Sequence, residues 1–490
     1  MSAAQSEITL EAQLEAQLEA QLEAQLEAQL EAQLEAQLEA QLEAQLEAQL
    51  EALQCHFTWD LDPGRRKLLS IIDRLQDIGT EEGNFWLGQV YNLQGYIHFL
   101  LGSADEAKSF FSRAAEAFRR MREPDEGPWL LVNYGNQAWL HHRQGEEAES
   151  RACLSKVEAL MEEYPSPSED ELHPEVYAEK AWTLRNFGRK KQRLAADYYQ
   201  RAIKMQPDVM EWQTSYVLGL TSLFKHSDTG LEGDDWEKMR QAKEQDPENL
   251  YLAARYLQQL AKKGESVKDE ARELATRVLR NPVGSYSGIK PLIRVYSFYV
   301  STDEGVKLAA EALEKHPDDR YLKRCAALGY KWRITSSTDS RPEQSMIQRA
   351  ILLHEEVISL YPHSSFVKRM DLASVYAKSN QGLAESDQIY RELLARDLEP
   401  AETQVLFNNY AKYLNYERWD WQRSIKYHMK AAEIPIDSFF RQSSIKNSGE
   451  DSRQKTGQNV QRNRRVSGQT GRATVFQTAM DINPQEAIHI

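Results

Sequence analysis

The chain opens on a strict four-residue pattern. From residue 10 to residue 52, Leu-Glu-Ala-Gln recurs without interruption, so an apolar Leu stands at every fourth position. All four residue types are strong helix formers, and the spacing predicts one long helix. An α-helix turns every 3.6 residues, so each Leu lies about 40° further round the rod than the one before. The apolar stripe therefore winds round the helix. That is a poor seam for a coiled coil, which needs a 3.5-residue period. The tract reads as a tandem expansion with no chemistry of its own; self-association through the rod is the alternative.

Beyond Leu53 the pattern changes to degenerate repeats of roughly 34 residues. After Phe85, small and aromatic residues fall at fixed offsets: Gly95 at position 8, Ala107 at 20, Phe111 at 24 and Ala114 at 27, with Gly102 in the turn between two helices. A second unit places Ala138, Ser150, Leu154 and Val157 at these offsets, and a third places Ala195, Tyr199, Ala202 and Pro207. Ala242 with Pro247, Ala312 with Pro317, and Val357 with Pro362 mark later, partial units. These are the offsets of the tetratricopeptide repeat. Small residues let the two helices of a unit approach closely, and aromatics fill the gaps. One pair cannot bury its apolar face alone, so neighbours must stack into a superhelix with a concave inner surface. The predicted fold is all-α: a tetratricopeptide-repeat superhelix, or α-solenoid, over residues 53–440. A helical low-complexity tract precedes it over 1–52, and a disordered polar tail follows over 441–490. Loops around Pro165–Pro174, His226–Asp235 and Ser336–Pro342 break the repeat order and predict subdomains.

Charge is unevenly spread. Residues 1–53 hold 12 Glu and no Lys or Arg, so the net charge of −15 falls to −3 for the remainder. A basic groove would have to be local. Residues 441–475 carry eight Lys or Arg against two acids among Ser, Gln, Asn and Gly. A solvated tail is the simpler reading of them, and a basic arm touching nucleic acid the alternative. No stretch approaches the roughly 20 apolar residues needed to span a bilayer, and the N-terminus lacks a basic region followed by an apolar one. The three cysteines are scattered and odd in number. A reducing cytoplasm is the simplest setting for them.

Catalytic signatures are missing. There is no phosphate-cradling Gly-rich loop after a strand, no HExxH pair and no paired-Cys motif, so no cofactor and no metal is predicted, and the protein is read as a binder rather than an enzyme. His141 and His142 are adjacent and point to different helix faces. Cys55 beside His56 reads as a small buried hydrophobe rather than a thiol–imidazole couple. Binding then rests on aromatics and bases. Trp182, within Glu179–Arg185, is either a stacking platform for a base or a core residue, and periodicity alone favours the core. Lys290 and Arg294 are four residues apart and share one helical face. With Tyr296 and Tyr299 nearby they form a mixed basic and aromatic segment, for which a solvated face is the bland alternative.

Leu53-Gln54-Cys55-His56-Phe57-Thr58-Trp59 resembles the N-terminal signature of the interferon-induced proteins with tetratricopeptide repeats, and Asn133–Trp139 is similar to a second segment of that family. The resemblance extends over residues 53–447. It implies a cytoplasmic, interferon-induced antiviral effector that holds the 5′ end of foreign single-stranded RNA in a basic tunnel. The end recognised carries a 5′-triphosphate or a cap lacking 2′-O-methylation, and holding it keeps the message from translation. It further implies contacts with translation initiation factors or other family members. By the same resemblance Trp182 stands where some members stack a cap. Arg66 stands near an RNA-contacting Arg of the first helix, Lys290 and Arg294 on a tunnel-lining basic pair, and Arg324 where members have a His that reads the first nucleotides.

The departures are specific. A phosphate-binding Arg is Ser222 here, with Lys225 the nearest base; a Gln of the first helix is Ser70; a Gln beside the His is Cys325. The closing repeats are replaced by the polar tail, and the Leu-Glu-Ala-Gln tract is not a family feature. A tetratricopeptide scaffold for protein partners, without RNA-end specificity, is the competing reading. A continuous basic lining favours RNA; an apolar or acidic one favours peptides.

Overall fold

The computed structural model describes residues 2–448 except 62, 79–85, 123–126, 169–170, 225–226, 228, 282–283 and 337–341. Lys225 and residues 449–490, most of the predicted tail, lie outside the described residues. Among those described every regular element is helical, as the repeat pattern predicts. The helices fall into two compact units, which do not follow the boundaries read from composition: Met1–Asp60 with Glu126–Pro165, and Leu61–Asp125 with Ser166–Ile490.

The first unit is built on helix α1 (Ser2–Ala52). Its leucines meet unequal fates, as a winding stripe requires. Leu30, Leu34 and Leu38 are exposed, while Leu46 and Leu50 are completely buried. They pack on Ala138, Cys153 and Leu154 of a helix pair whose members are Leu131–Arg143 and Glu147–Glu163. The end of the tract thus belongs to this unit's core, and a boundary at residue 52 cuts through it. The segment after α1 explains the Cys-His-Phe-Thr-Trp motif as a clamp. The Thr58 hydroxyl donates to Leu53 O at 2.7 Å and closes the turn. Asn136 accepts from the His56 backbone N–H and faces His56 Nδ1, both at 3.0 Å. Phe57 stacks on Trp139 at 5.9 Å. Cys55 is fully buried, and His56 uses its ring for Asn136.

In the second unit, α2 (Arg65–Leu75) precedes the pair α3 (Leu87–Leu100) and α4 (Ala104–Met121). Here the predicted offsets have their physical meaning. A Cβ on Gly95 would come within 2.5 Å of the Phe111 ring, so only Gly lets α3 and α4 approach this closely. Gly102 takes φ +90° in the turn, a region L-residues avoid. The pairs continue, numbering this unit's helices onward, as α5 (Pro174–Leu184) with α6 (Arg189–Met205), α7 (Met210–Leu223) with α8 (Gly233–Gln245), and α9 (Leu250–Lys262) with α10 (Lys268–Val278). Next come α11 (Ile289–Val295), whose last turn widens to a π-helix over Tyr296–Val300, and α12 (Thr302–Lys315). Helices α13 (Arg320–Thr335), α14 (Gln344–Leu360), α15 (Ser365–Tyr376), α16 (Leu383–Leu394), α17 (Pro400–Tyr416) and α18 (Trp421–Glu433) complete the array.

A further helix, α19, spans 439–448, where the polar composition of 441–490 predicts disorder. That expectation fails for its first eight residues because their order comes from tertiary contacts. Phe440 is buried, and the Ser444 hydroxyl accepts from Asn408 Nδ2 at 2.8 Å.

Candidate functional site

Helix α2 carries two polar faces. Arg66, Ser70 and Arg74 recur every fourth residue and share one side, while Leu68, Ile71 and Leu75 bury the opposite side. Asp73, on the helix, and Asp77, two residues past its end, supply the second polar side. Asp73 Oδ2 accepts from the backbone N–H groups of His363 and Ser364 and from the Ser364 hydroxyl, at 2.9–3.1 Å, just ahead of α15. Arg74 donates to Asn186 O at 3.0 Å, and Ser285 N–H donates to Asp77 O at 2.8 Å. Helix α2 is thereby tied to several repeats of the second unit at once.

Beside it lies a cavity of about 210 Å³, lined by residues of α2, α5–α7, α9, α11 and α13. Six cations face it: Arg74, Arg185, Arg255, Lys290, Arg294 and Arg324; among the described lining residues the one carboxylate is Asp77. Gly288, at φ +83°, starts α11 so close to α9 that a Cβ would stand 2.7 Å from Leu250 O. The helix begun there presents Lys290 and Arg294 on one face. Neither has a hydrogen bond or ion pair to any described residue, and Arg294, 9% exposed, leaves Nε and Nη2 unpartnered. Burial, with Arg324 and Arg255 nearby, pushes the Lys290 ammonium well below the usual lysine range. Burial and Arg255 do the same to Arg294. Burial and the charges of Arg324 and Arg185 lower Arg74 to about 10. A concave site that holds this many cations with so few counter-charges is built to take an anion.

Aromatic rings share the wall. Tyr251 and Tyr286 meet edge to face at 5.4 Å. Their hydroxyls accept from Arg255 and Arg185, each at 2.9 Å. Two recesses of about 60 Å³ adjoin. One shares Arg74 and Arg324 with the cavity and adds Ser70, His354 and Lys368; the other is lined by Arg66, Lys67, Ser70, Glu399 and Glu402.

Of the residues singled out from sequence, Lys290, Arg294 and Arg324 come together in the cavity, and Ser222 and Ser70 lie on its wall and on the recess. Arg66 does not join them. Its guanidinium is half exposed, ion-paired to Glu402 at 2.9 Å in the outer recess. Trp182 is 1% exposed and lines no part of the cavity. Tyr296 is packed into the core and Tyr299 is exposed. Sequence reasoning missed Arg74, Arg185 and Arg255. Arg74 was within reach, since it continues the four-residue spacing from Arg66 through Ser70.

A tetratricopeptide-repeat family model matches residues 86–163. The chain is 25% identical over 408 residues to the antiviral innate immune response effector IFIT1 of Macaca fascicularis, covering 80% of this chain and 84% of that one. It is 23% identical over 406 residues to interferon-induced protein with tetratricopeptide repeats 2 of Mus musculus, with coverage of 78% and 81%.

Along most of its length the chain is similar to the interferon-induced proteins with tetratricopeptide repeats.

The fold agrees as well. The solved structure of a human IFIT1 dimer with PPP-AAAA superposes with a TM-score of 0.65 at 23% identity, covering 85% of this chain and 92% of that one. The human IFIT1 dimer with m7Gppp-AAAA gives a TM-score of 0.66 at 22% identity, with coverage of 86% and 92%. Among the described residues no helix is long and apolar enough to cross a membrane, and no group of three His, Cys, Asp or Glu is placed to hold a metal.

Proposed function

We propose that this protein is an antiviral innate-immune effector of the cytoplasm that binds the 5′ end of single-stranded RNA in the basic cavity of its second unit and withholds that RNA from translation. The observation that carries the reading is the pair Lys290 and Arg294: cations one helical turn apart on the cavity wall, Arg294 buried and Lys290 partly buried, neither with a hydrogen bond or ion pair to any described residue. Sequestering such groups is costly unless a ligand supplies the missing acceptors. A 5′-triphosphate, or the phosphate bridge of a cap, supplies dense negative charge. Tyr286 and Tyr251 offer ring faces for a neighbouring base. The human IFIT1 structures solved with PPP-AAAA and with m7Gppp-AAAA support the same ligand class. Because those assemblies are dimers, self-association is part of the proposal.

The competing scaffold reading called for an apolar or acidic lining, and the cavity has six cations to one carboxylate. The test is a titration of the full chain against one RNA bearing 5′-triphosphate, unmethylated cap, methylated cap or 5′-hydroxyl, with Lys290→Glu alongside. Binding that depends on the 5′ group, weakens with salt and disappears in the variant is expected. Equal, weak binding to all four ends refutes the reading and turns attention to protein partners.

A further inference from the structure

Asp77 is the exception in a wall of cations. Its side chain is 2% exposed, and its oxygens are already engaged. Arg324 Nη1 donates to Oδ2 at 2.9 Å, and the Tyr361 hydroxyl donates to Oδ1 at 2.6 Å. Arg320 Nε stands 3.4 Å from Oδ1. Two guanidinium groups and a phenol thus converge on one anion, the donor set that a phosphate group would meet. Burial, the largest influence on Arg324, would lower its pKa; the Asp77 carboxylate, together with Tyr361, Tyr321 and Cys325, more than offsets it, and the pKa is raised.

The carboxylate is one of several ties on this segment. The three bonds to Asp73, the bond from Arg74 to Asn186 O and the backbone bond from Ser285 to Asp77 O are made by other atoms. A buried ion pair often stabilises a fold no more than a well-packed neutral pair of similar volume, although removing one partner alone is costly. What the negative charge does achieve is a lopsided cavity. Arg324 is held by a direct bond to Asp77, while Lys290 and Arg294 have no hydrogen bond or ion pair to any described residue, with Arg255 beside them.

We propose that Asp77 is a specificity-determining residue: a built-in counter-anion that occupies Arg324 where a ligand phosphate would otherwise bind, and so directs phosphates to Lys290, Arg294 and Arg255. This deepens the RNA-end reading and rests on it for the identity of the natural ligand. A phosphate reaching Arg324 must displace a carboxylate that is already seated. A phosphate reaching Lys290 displaces nothing but solvent. The same group therefore favours one placement of the 5′ end and penalises the other.

The experiment compares four full-length proteins: the unaltered chain, Asp77→Asn, Arg324→Gln and the double variant. Each is titrated with inorganic triphosphate and with 5′-triphosphate RNA, and thermal unfolding is recorded alongside. Asp77→Asn is expected to bind triphosphate about fivefold or more tightly, because Arg324 is released from a close charge pair. Its RNA binding should fall more steeply with salt, by about 0.7 in logarithmic slope for one added phosphate contact. In the Arg324→Gln background the same substitution should change affinity by less than about twofold, the residue it unmasks being gone. Should Asp77→Asn fail to fold, Asp77→Ser removes the same charge and carries the same expectation.

Equal or weaker triphosphate binding by the Asp77 variants overturns the proposal. So does a gain that persists undiminished without Arg324, which would make Asp77 a source of general field only. Binding of triphosphate by none of the four overturns it too. An unaltered chain that ignores the RNA 5′ group, while Asp77→Asn still gains affinity for inorganic triphosphate, sinks the RNA-end reading and leaves Asp77 in its role.

Discussion

The indole of Trp182 stacks on that of Trp86 with ring centroids 6.1 Å apart and planes 16° from parallel. Tyr199 stands edge-on to the same Trp86 at 6.4 Å. Trp182 is therefore one layer of an internal aromatic stack, closed to a nucleobase. Substituting it is a stability experiment: Trp182→Ala should cost about 3–5 kcal/mol in denaturant unfolding. Tyr286→Ala is the converse. Its ring lies on the cavity wall, so unfolding should change little, while RNA affinity should drop by about 1–3 kcal/mol if a base stacks there. RNA titration of both variants separates the two aromatics.

Arg294 sets function against stability. Its buried Nε and Nη2 have no acceptor, and each such group carries a desolvation cost. Arg294→Gln should raise the stability of the free protein by about 1–3 kcal/mol and weaken RNA binding at the same time. Melting temperature and affinity moving in the same direction would show that Arg294 is not held in reserve for a ligand.

Glu179 makes stability depend on pH. Burial, opposed by a hydrogen bond from Asn92 Nδ2 at 2.8 Å, pushes its carboxyl up to about 8 from an ordinary 4.5. Between these two values the unfolded chain gives up a proton that the folded chain keeps. Stability therefore falls as pH rises from about 4.5 to 8, by at most about 1.4 kcal/mol per pH unit, and is flat beyond. Glu179→Gln should melt higher than the unaltered chain at pH 8, with the difference shrinking towards pH 5. A difference that does not vary with pH counts against a protonated Glu179.

The first unit depends on two leucines of α1. Leu50→Ala should destabilise it by about 2–5 kcal/mol, since Leu50 has no exposed surface and packs against Ala138 and Leu154. Leu34→Ala, at a position 69% exposed in the same repeat, should stay within about 0.5 kcal/mol. Urea unfolding of the two variants tests the contrast.

Local periodicity explains which of these features could be read from the chain. The helix pairs were legible because Gly95, Ala107, Phe111 and Ala114 recur at offsets that packing demands. Lys290 and Arg294 were legible as one face because four residues make about one turn. Arg185, Arg255 and Arg324 sit on three different helices, and only the stacking of repeats brings them to one cavity. Periodicity favoured the core for Trp182, but offsets alone do not tell which side of a helix pair an aromatic faces. Arg66 shares a face with Arg74, but the two lie two turns apart and open onto different spaces. The order of 439–448 depends on Asn408 and Gln404, more than 30 residues earlier, which composition within the segment does not reveal.

The Leu-Glu-Ala-Gln helix has one further consequence. Only its last two leucines among those described are buried, and every preceding unit repeats the same four residues. Inserting or removing whole units upstream of Leu46 leaves the packed end identical in sequence and in register, whereas losing a single residue between Leu50 and Cys55 would turn the buried face aside. A change of length in whole fours should therefore leave the packed core of the first unit as it is.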